Sequence, residues 1–196
     1  MRNNSAAAHS TLLAILATAL LAVLLYRPAT ALPPLPKDFR WAEIDRLKAA
    51  FPVPVGWKLV KSQGKLLASF AIYQPGANGG RFDTGLSVSA VDNLARISAQ
   101  GLNTQLARFA RQIDAAPEYR LLSREDVTRN GWRGISLRFD DASRPAVVAL
   151  QRLYLADEQA DRLLIMTFRA PRSQWASAWR VGKIMLEHFL LLPAGL

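Results

Sequence analysis

Four segments of alternating apolar residues, 119–128, 132–139, 147–156 and 163–169, follow one another with only short polar turns between them. Parallel neighbours need crossovers of a dozen or more residues, so this stretch is restricted to an antiparallel meander. The turns carry suitable chemistry: Arg129-Asn130-Gly131, a run from Asp140 to Pro145, and a run from Asp157 to Asp161. Upstream, 56–60, 66–74 and 84–91 read as three further strands. In the last of these Leu86, Val88 and Ala90 alternate with Ser87 and Ser89.

Helical spacing appears in three places. The clearest is 94–113, where Leu94, Ile97, Gly101 or Leu102, Leu106, Phe109 and Ile113 form one stripe. Asp92 or Asn93 is placed to cap it, and Pro117 closes its exit. A second helix is expected from a Ser173 cap to about Leu190, with Trp175, Ala178 or Trp179, Gly182, Met185 and Phe189 facing inward. A short helix is expected after Asp38, with Trp41, Ile44, Leu47 or Lys48, and Phe51 on one face and Pro52 and Pro54 ending it. Each long amphipathic helix must bury its stripe on a sheet face. The expected fold is therefore α+β: one domain over 38–192, an antiparallel sheet sandwiched between helices.

The first 31 residues read as an address. Positions 12–25 are apolar apart from Thr18, about 21 Å of helix at 1.5 Å per residue, shorter than a bilayer core of roughly 30 Å. Arg2 precedes the run, Pro28 follows it, and Ala29-Thr30-Ala31 suits signal cleavage. Residues 1–31 are thus expected to be a signal peptide, or an uncleaved N-terminal anchor, placing the domain in the periplasm or facing it from the inner membrane. Leu32-Pro33-Pro34-Leu35-Pro36 then makes a stiff linker over 32–37. No twin-arginine signal is present, so export would be of an unfolded chain.

Several chemistries are excluded at once. The chain has no Cys, which removes disulfides, thiolate metal sites and a Cys nucleophile, and two His, His9 and His188, too few for a multi-His metal centre. His188 falls in the last turn of the final helix, and no Gly-x-Ser-x-Gly elbow supplies a serine. Glu125 and Asp126, adjacent on a strand, point to opposite faces. Asp140, Asp141, Asp157, Glu158 and Asp161 read as turn residues, with the Asp140 and Asp157 turns at opposite ends of one strand. The segment Gly76 to Gly80 lacks the Gly-Lys-Ser/Thr of a phosphate loop.

The residues Pro54-Val55-Gly56-Trp57, Thr84-Gly85-Leu86-Ser87-Val88 and Asn130-Gly131-Trp132-Arg133-Gly134, with the Trp-rich last helix, resemble the PsbP-like α/β/α sandwich superfamily and its DcrB-like branch of bacterial envelope proteins. The resemblance covers roughly 50–190. It implies a role without catalysis: assembly factor, extrinsic subunit, or chaperone of apolar segments. Many DcrB-like proteins are lipoproteins, and this chain departs from them in lacking the lipobox Cys. Eag-type chaperones look similar in fold but are cytosolic, so the leader argues against that branch. The family has no active-site residues to carry over.

The expectation is therefore a protein that is not an enzyme, uses no cofactor, metal or small-molecule substrate, and binds a protein partner in the envelope. Trp132, Arg138, Arg152 and Tyr154 are expected to form a recognition surface, since Trp, Tyr and Arg dominate hot spots. Asn78, on the Gly-rich loop, is a further contact candidate. The alternative is a peripheral binder of anionic lipid or polymer. Lys and Arg number 25 against 15 acids, and loss of Arg2 and Arg27 with the leader leaves 23 against 15, or +8. Outside the cytoplasm such charge does not suggest nucleic acid. An envelope hydrolase using Asp140 or Asp157 is the third reading.

Overall fold

The computed structural model describes residues 32–63, 68–76, 83–93 and 102–192. The leader at 1–31, Asn78 and the helix start at 94–101 lie outside them. Seven strands form one fully antiparallel sheet: β3 (Lys58–Gln63), β4 (Ala68–Tyr73), β5 (Gly85–Asp92), β6 (Tyr119–Arg129), β7 (Trp132–Asp141), β8 (Val148–Asp157) and β9 (Arg162–Pro171). Their spatial order is β3-β4-β5-β9-β8-β7-β6. The meander reads out as expected. Its tightest turn is Asn130-Gly131, with φ of 50° and 82°, between the paired residues Arg129 and Trp132. Such left-handed dihedrals favour Asn and Gly and match the twist of a two-residue hairpin. In the β8–β9 turn Asp157 Oδ1 accepts the N–H groups of Gln159 and Ala160, 3.0 and 3.1 Å away.

Helix α1 (Leu102–Ala115) packs on β6, β7 and β8. Leu106, Ala110 and Ile113 bury against Ile135, Leu137, Phe139 and Leu150, and Phe109 stacks on Tyr154 with centroids 5.0 Å apart. Helix α2 (Trp175–His188) lies on the opposite face. A 3-10 turn at Arg172–Gln174 precedes it, so Ser173 does not cap it: Gln174 holds the cap position with no side-chain bond. Gly182 lets α2 approach the sheet, since a Cβ there would lie 2.6 Å from the Phe168 ring.

The third expected helix is replaced by a hairpin. Residues 39–54 form β1 (Phe39–Ile44), a 3-10 turn at Asp45–Leu47, and β2 (Ala49–Pro54); β10 (Leu190–Leu191) pairs with the other edge of β2. The helical stripe was incomplete as a burial pattern, because β2 is buried throughout and Ala42 is buried with Ile44 at period two. Asp38 caps nothing here; its carbonyl accepts the Val55 N–H at 2.8 Å. That bond sets the alternation so that Pro52 and Pro54, which have no N–H to offer, face away from β1 where β10 has already ended. This small sheet shares the α2 face. Phe51 stacks on Phe189 at 5.6 Å and meets Phe70 edge-on at 4.9 Å. Arg162 joins the layers, pairing with Asp92 at 2.5 Å and donating to the Leu47 carbonyl at 3.3 Å.

Candidate functional site

Strand alternation decides which arginines share a face. On β7, Trp132, Ser136 and Arg138 point to the α2 side, and Ile135, Leu137 and Phe139 to the α1 side. The β7–β8 register sets Arg138 opposite Gln151, while Arg152 is opposite Leu137 and Tyr154 opposite Ile135. Arg152 and Tyr154 therefore lie on the α1 side, and the expected single surface of Trp132, Arg138, Arg152 and Tyr154 is corrected to two surfaces on opposite faces. A step of one residue along a strand changes the face. The neighbour of Arg138 is Gln151, whose Nε2 donates to Ser136 Oγ at 2.7 Å.

A groove of about 720 Å³ runs on the α2 side between α2 and the β6–β8 end of the sheet. Its apolar surface comes from Val127, Leu153 and Leu155 below and from Trp179 and Leu186 on the helix. Ser123, Ser136 and Gln151 add hydrogen-bonding groups, and Glu125, Lys183 and Glu187 stand at the rim. Lys183 and Glu187, one turn apart on α2, approach to 3.7 Å. Glu125 and Asp126 point to opposite faces, as their adjacency requires.

Two arginines hold the groove in shape. Arg129 donates to the carbonyls of Leu186 (2.6 Å), Glu187 and Phe189 (3.2 Å), and its guanidinium lies 4.1 Å from the Phe189 ring centroid. It closes the C-terminus of α2, where carbonyls lack helical partners and attract positive charge. Arg138 stands over Trp175 at 3.7 Å and donates to the Phe139 and Leu150 carbonyls, each at 3.0 Å. Trp175 in turn stacks on Trp179, 5.2 Å between centroids, with the Phe168 ring against both. Burial pushes both guanidinium groups below their ordinary pKa. Glu187 opposes this at Arg129, as Asp140 does at Arg138, where Arg172 adds to the lowering.

Asp140, expected as a turn residue, is buried on β7 with Arg138 3.6 Å from Oδ1 and Arg172 3.4 Å from Oδ2. Arg129 also passed as a turn residue. The signal for it was available: residues flanking a two-residue hairpin are paired, so Arg129 must share the face of Trp132. Asp141 behaves as expected, its Oδ1 accepting the Ser143 N–H at 2.9 Å. His188 ends α2, its Nδ1 3.2 Å from the Ile184 carbonyl. Among the described residues no three His, Asp or Glu side chains gather as metal ligands. The arrangement thus offers apolar and hydrogen-bonding surface, with the Arg129 and Arg138 guanidinium groups engaged in holding backbone.

The architecture has solved counterparts. Cyanobacterial PsbP (CyanoP) from Synechocystis matches with a TM-score of 0.56 at 13% identity, over 83% of this chain and 98% of that one. The chain has the PsbP-like fold. LpqN of Mycobacterium tuberculosis, described as involved in cell envelope biogenesis, matches this PsbP-like chain with a TM-score of 0.54 at 12% identity, over 74% of this chain and 83% of that one. The Ran-binding protein Mog1p of Saccharomyces cerevisiae reaches a TM-score of 0.50 at 10% identity, over 79% and 95%. No protein-family model and no curated protein sequence matches the chain.

Proposed function

We propose that this PsbP-like domain is a non-catalytic protein-binding module of the bacterial envelope, of the DcrB-like kind, exported to the periplasm and acting beside the inner membrane. Its binding site is the groove between α2 and β6–β8. The observation that carries this reading is the groove itself: about 720 Å³ of open space in which Leu153, Trp179 and Leu186 lie beside the Gln151–Ser136 hydrogen bond. Apolar anchors with a few oriented polar groups suit a protein segment that inserts a side chain and hydrogen-bonds beside it. LpqN, involved in cell envelope biogenesis, and the Ran-binding protein Mog1p lend support by analogy. The leader supports export.

The test is crosslinking in cells from a photoreactive residue at Lys183, on the groove rim, with Arg40 on β1 as the control site. A discrete adduct from Lys183, absent from Arg40 and lost in Ser123→Trp, is expected. Ser123 is exposed and lines the groove, so a Trp there fills it without entering the core. Adducts that ignore Ser123→Trp would reject the site. A turnover activity abolished by one substitution in the groove would reject the non-catalytic reading.

A further inference from the structure

β3 and β6 border the large sheet. Edge strands offer unpaired N–H and C=O groups, and proteins blunt them with Lys, Pro or bulges. β3 carries exposed Lys58 and Lys61, and the β2 edge of the small sheet carries Pro52 and Pro54. β6 has none of these devices between Arg124 and Arg129; its one register shift lies earlier, at Leu121/Ser123. The Asn130-Gly131 hairpin decides which groups face outward. Arg129 and Trp132 flank a two-residue turn and exchange both backbone bonds, and the ladder alternates from there. Val127 and Glu125 therefore direct their N–H and C=O groups to β7, whereas Thr128, Asp126 and Arg124 direct theirs outward. No backbone group among the described residues meets them there. Helix α1 does not close the edge either: an opening of about 320 Å³ is bordered by Leu106 and Ala107 on the helix and by Arg124, Asp126 and Thr128 on the strand.

The side chains select the occupant. In a symmetric antiparallel pair, opposed residues share a face, so the twofold axis passes through one residue of β6. At Arg124, Glu125, Asp126 or Arg129 the axis would set a charge against its own copy, which is unfavourable. At Ser123 the ladder would run through the bulge, and at Thr128 into the hairpin turn. Val127 remains. With the axis there, Val127 meets Val127 of the second copy in a close, non-hydrogen-bonded pair. Asp126 then meets Thr128 of the second copy, and Glu125 meets Arg129. Asp126 and Thr128 are residues with outward backbone groups, so each such pair exchanges both N–H···O bonds. Arg129 keeps its bonds to the α2 carbonyls, made by Nη1 and Nη2, and its charge still opposes that of Glu125. Exposed Arg133, opposite Thr128 on β7, adds a cation on the side of Asp126 of the second copy.

We propose that β6 is a self-association edge: two copies join β6 to β6 about an axis at Val127 and form one continuous antiparallel sheet. The axis is perpendicular to the sheet, so the α2 faces of both copies point the same way. Glu125 and Val127 line the groove and lie at the junction, which brings the two grooves side by side. The inference rests on the strand edge and its register, and stands apart from the binding role proposed for the groove.

The chain has no Cys, so one introduced thiol reports on one position. Val127→Cys in the full chain places two thiols in a non-hydrogen-bonded pair with Cα atoms about 4.5 Å apart, within reach of a disulfide. Glu125→Cys leaves them about 14 Å apart along the strands, out of reach. Mild oxidation is expected to give a covalent dimer from Val127→Cys and none from Glu125→Cys. In sedimentation the dimer fraction is expected to rise with concentration. Glu125→Arg is expected to weaken association about tenfold, because both symmetric pairs turn repulsive. Glu43→Arg, the same change on β1, is expected to leave it unaltered. Any association through the apolar stretch 12–25 is common to every variant, so the differences between variants are the readout. Equal disulfide yields from the two Cys variants, no yield from Val127→Cys, or equal effects of Glu125→Arg and Glu43→Arg would overturn the proposal. So would a disulfide from Val127→Cys to a different protein in cells, which would assign the edge to another partner.

Discussion

On the α2 side of the large sheet, Arg129 and Arg138 donate to backbone carbonyls and stand over aromatic rings; on the α1 side, Arg152 also lies near a ring, 5.3 Å from the Phe139 centroid, but donates to the Thr167 and Tyr154 hydroxyls. The first face is layered by α2 and the small sheet, with Phe51, Phe168 and Phe189 fully enclosed. The second is covered by α1 over β6–β8, and on β4 and β5 its side chains stay partly exposed. The same residue type thus ties backbone on one side of the sheet and side-chain hydroxyls on the other.

The contrast can be broken by substitution. Phe51→Ala removes a ring stacked between layers and is expected to cost about 3–5 kcal/mol of unfolding free energy by urea titration. Phe109→Ala, half-buried over Tyr154, is expected to cost less, about 1–2 kcal/mol, the remainder of its area being already in water. Equal losses would mean that both faces are layered alike.

Arg138→Gln sharpens the point. It leaves the Phe139 and Leu150 carbonyls short of a charged donor and Asp140 with only Arg172, so a loss of about 2–3 kcal/mol is expected. Arg152→Gln is expected to cost less, about 1 kcal/mol, because it removes hydrogen bonds to two neutral hydroxyls and leaves no backbone carbonyl or carboxylate without its charged donor. The reverse order would dissolve the distinction between carbonyl-bound and hydroxyl-bound arginines. Lys183→Ala, which removes one partner of an exposed helix pair, is expected to change stability by less than about 0.5 kcal/mol, within the scatter of repeated titrations.

The large sheet was readable because local chemistry dictates it. Asn130-Gly131 specifies a tight hairpin, Asp157 closes its own turn, and Leu86, Val88 and Ala90 mark one face of β5 without reference to the rest of the chain. Both long helices were visible from their stripes, α1 only from Leu102 within the described residues. The hairpin at 39–54 was not, since Trp41, Ile44, Leu47 and Phe51 fit a helical period by coincidence. What makes those residues strands is their pairing with each other and the burial of Phe51 against Phe70 and Phe189, partners remote from it in sequence. The candidate surface failed for a related reason. Alternation places Arg138 and Arg152 correctly within their own strands, but only the β7–β8 register says that they face apart. Asp140 was misread because the polar run from Asp140 to Pro145 reads as a turn, whereas β7 continues through Asp141 and sets Asp140 beside Arg138 and Arg172.

The pairing of Leu190 and Leu191 with Ala50 and Ala49 has a kinetic consequence. A ring of about 140 residues must close before β2 gains its second neighbour, and closures of that length are slow. Until those two leucines dock, the outer edge of β2 is open at Ala50, with Pro52 and Pro54 blunting the rest of it. Leu190 and Leu191 therefore act as a clasp on β2, and a chain without them leaves that side of the hairpin unpaired.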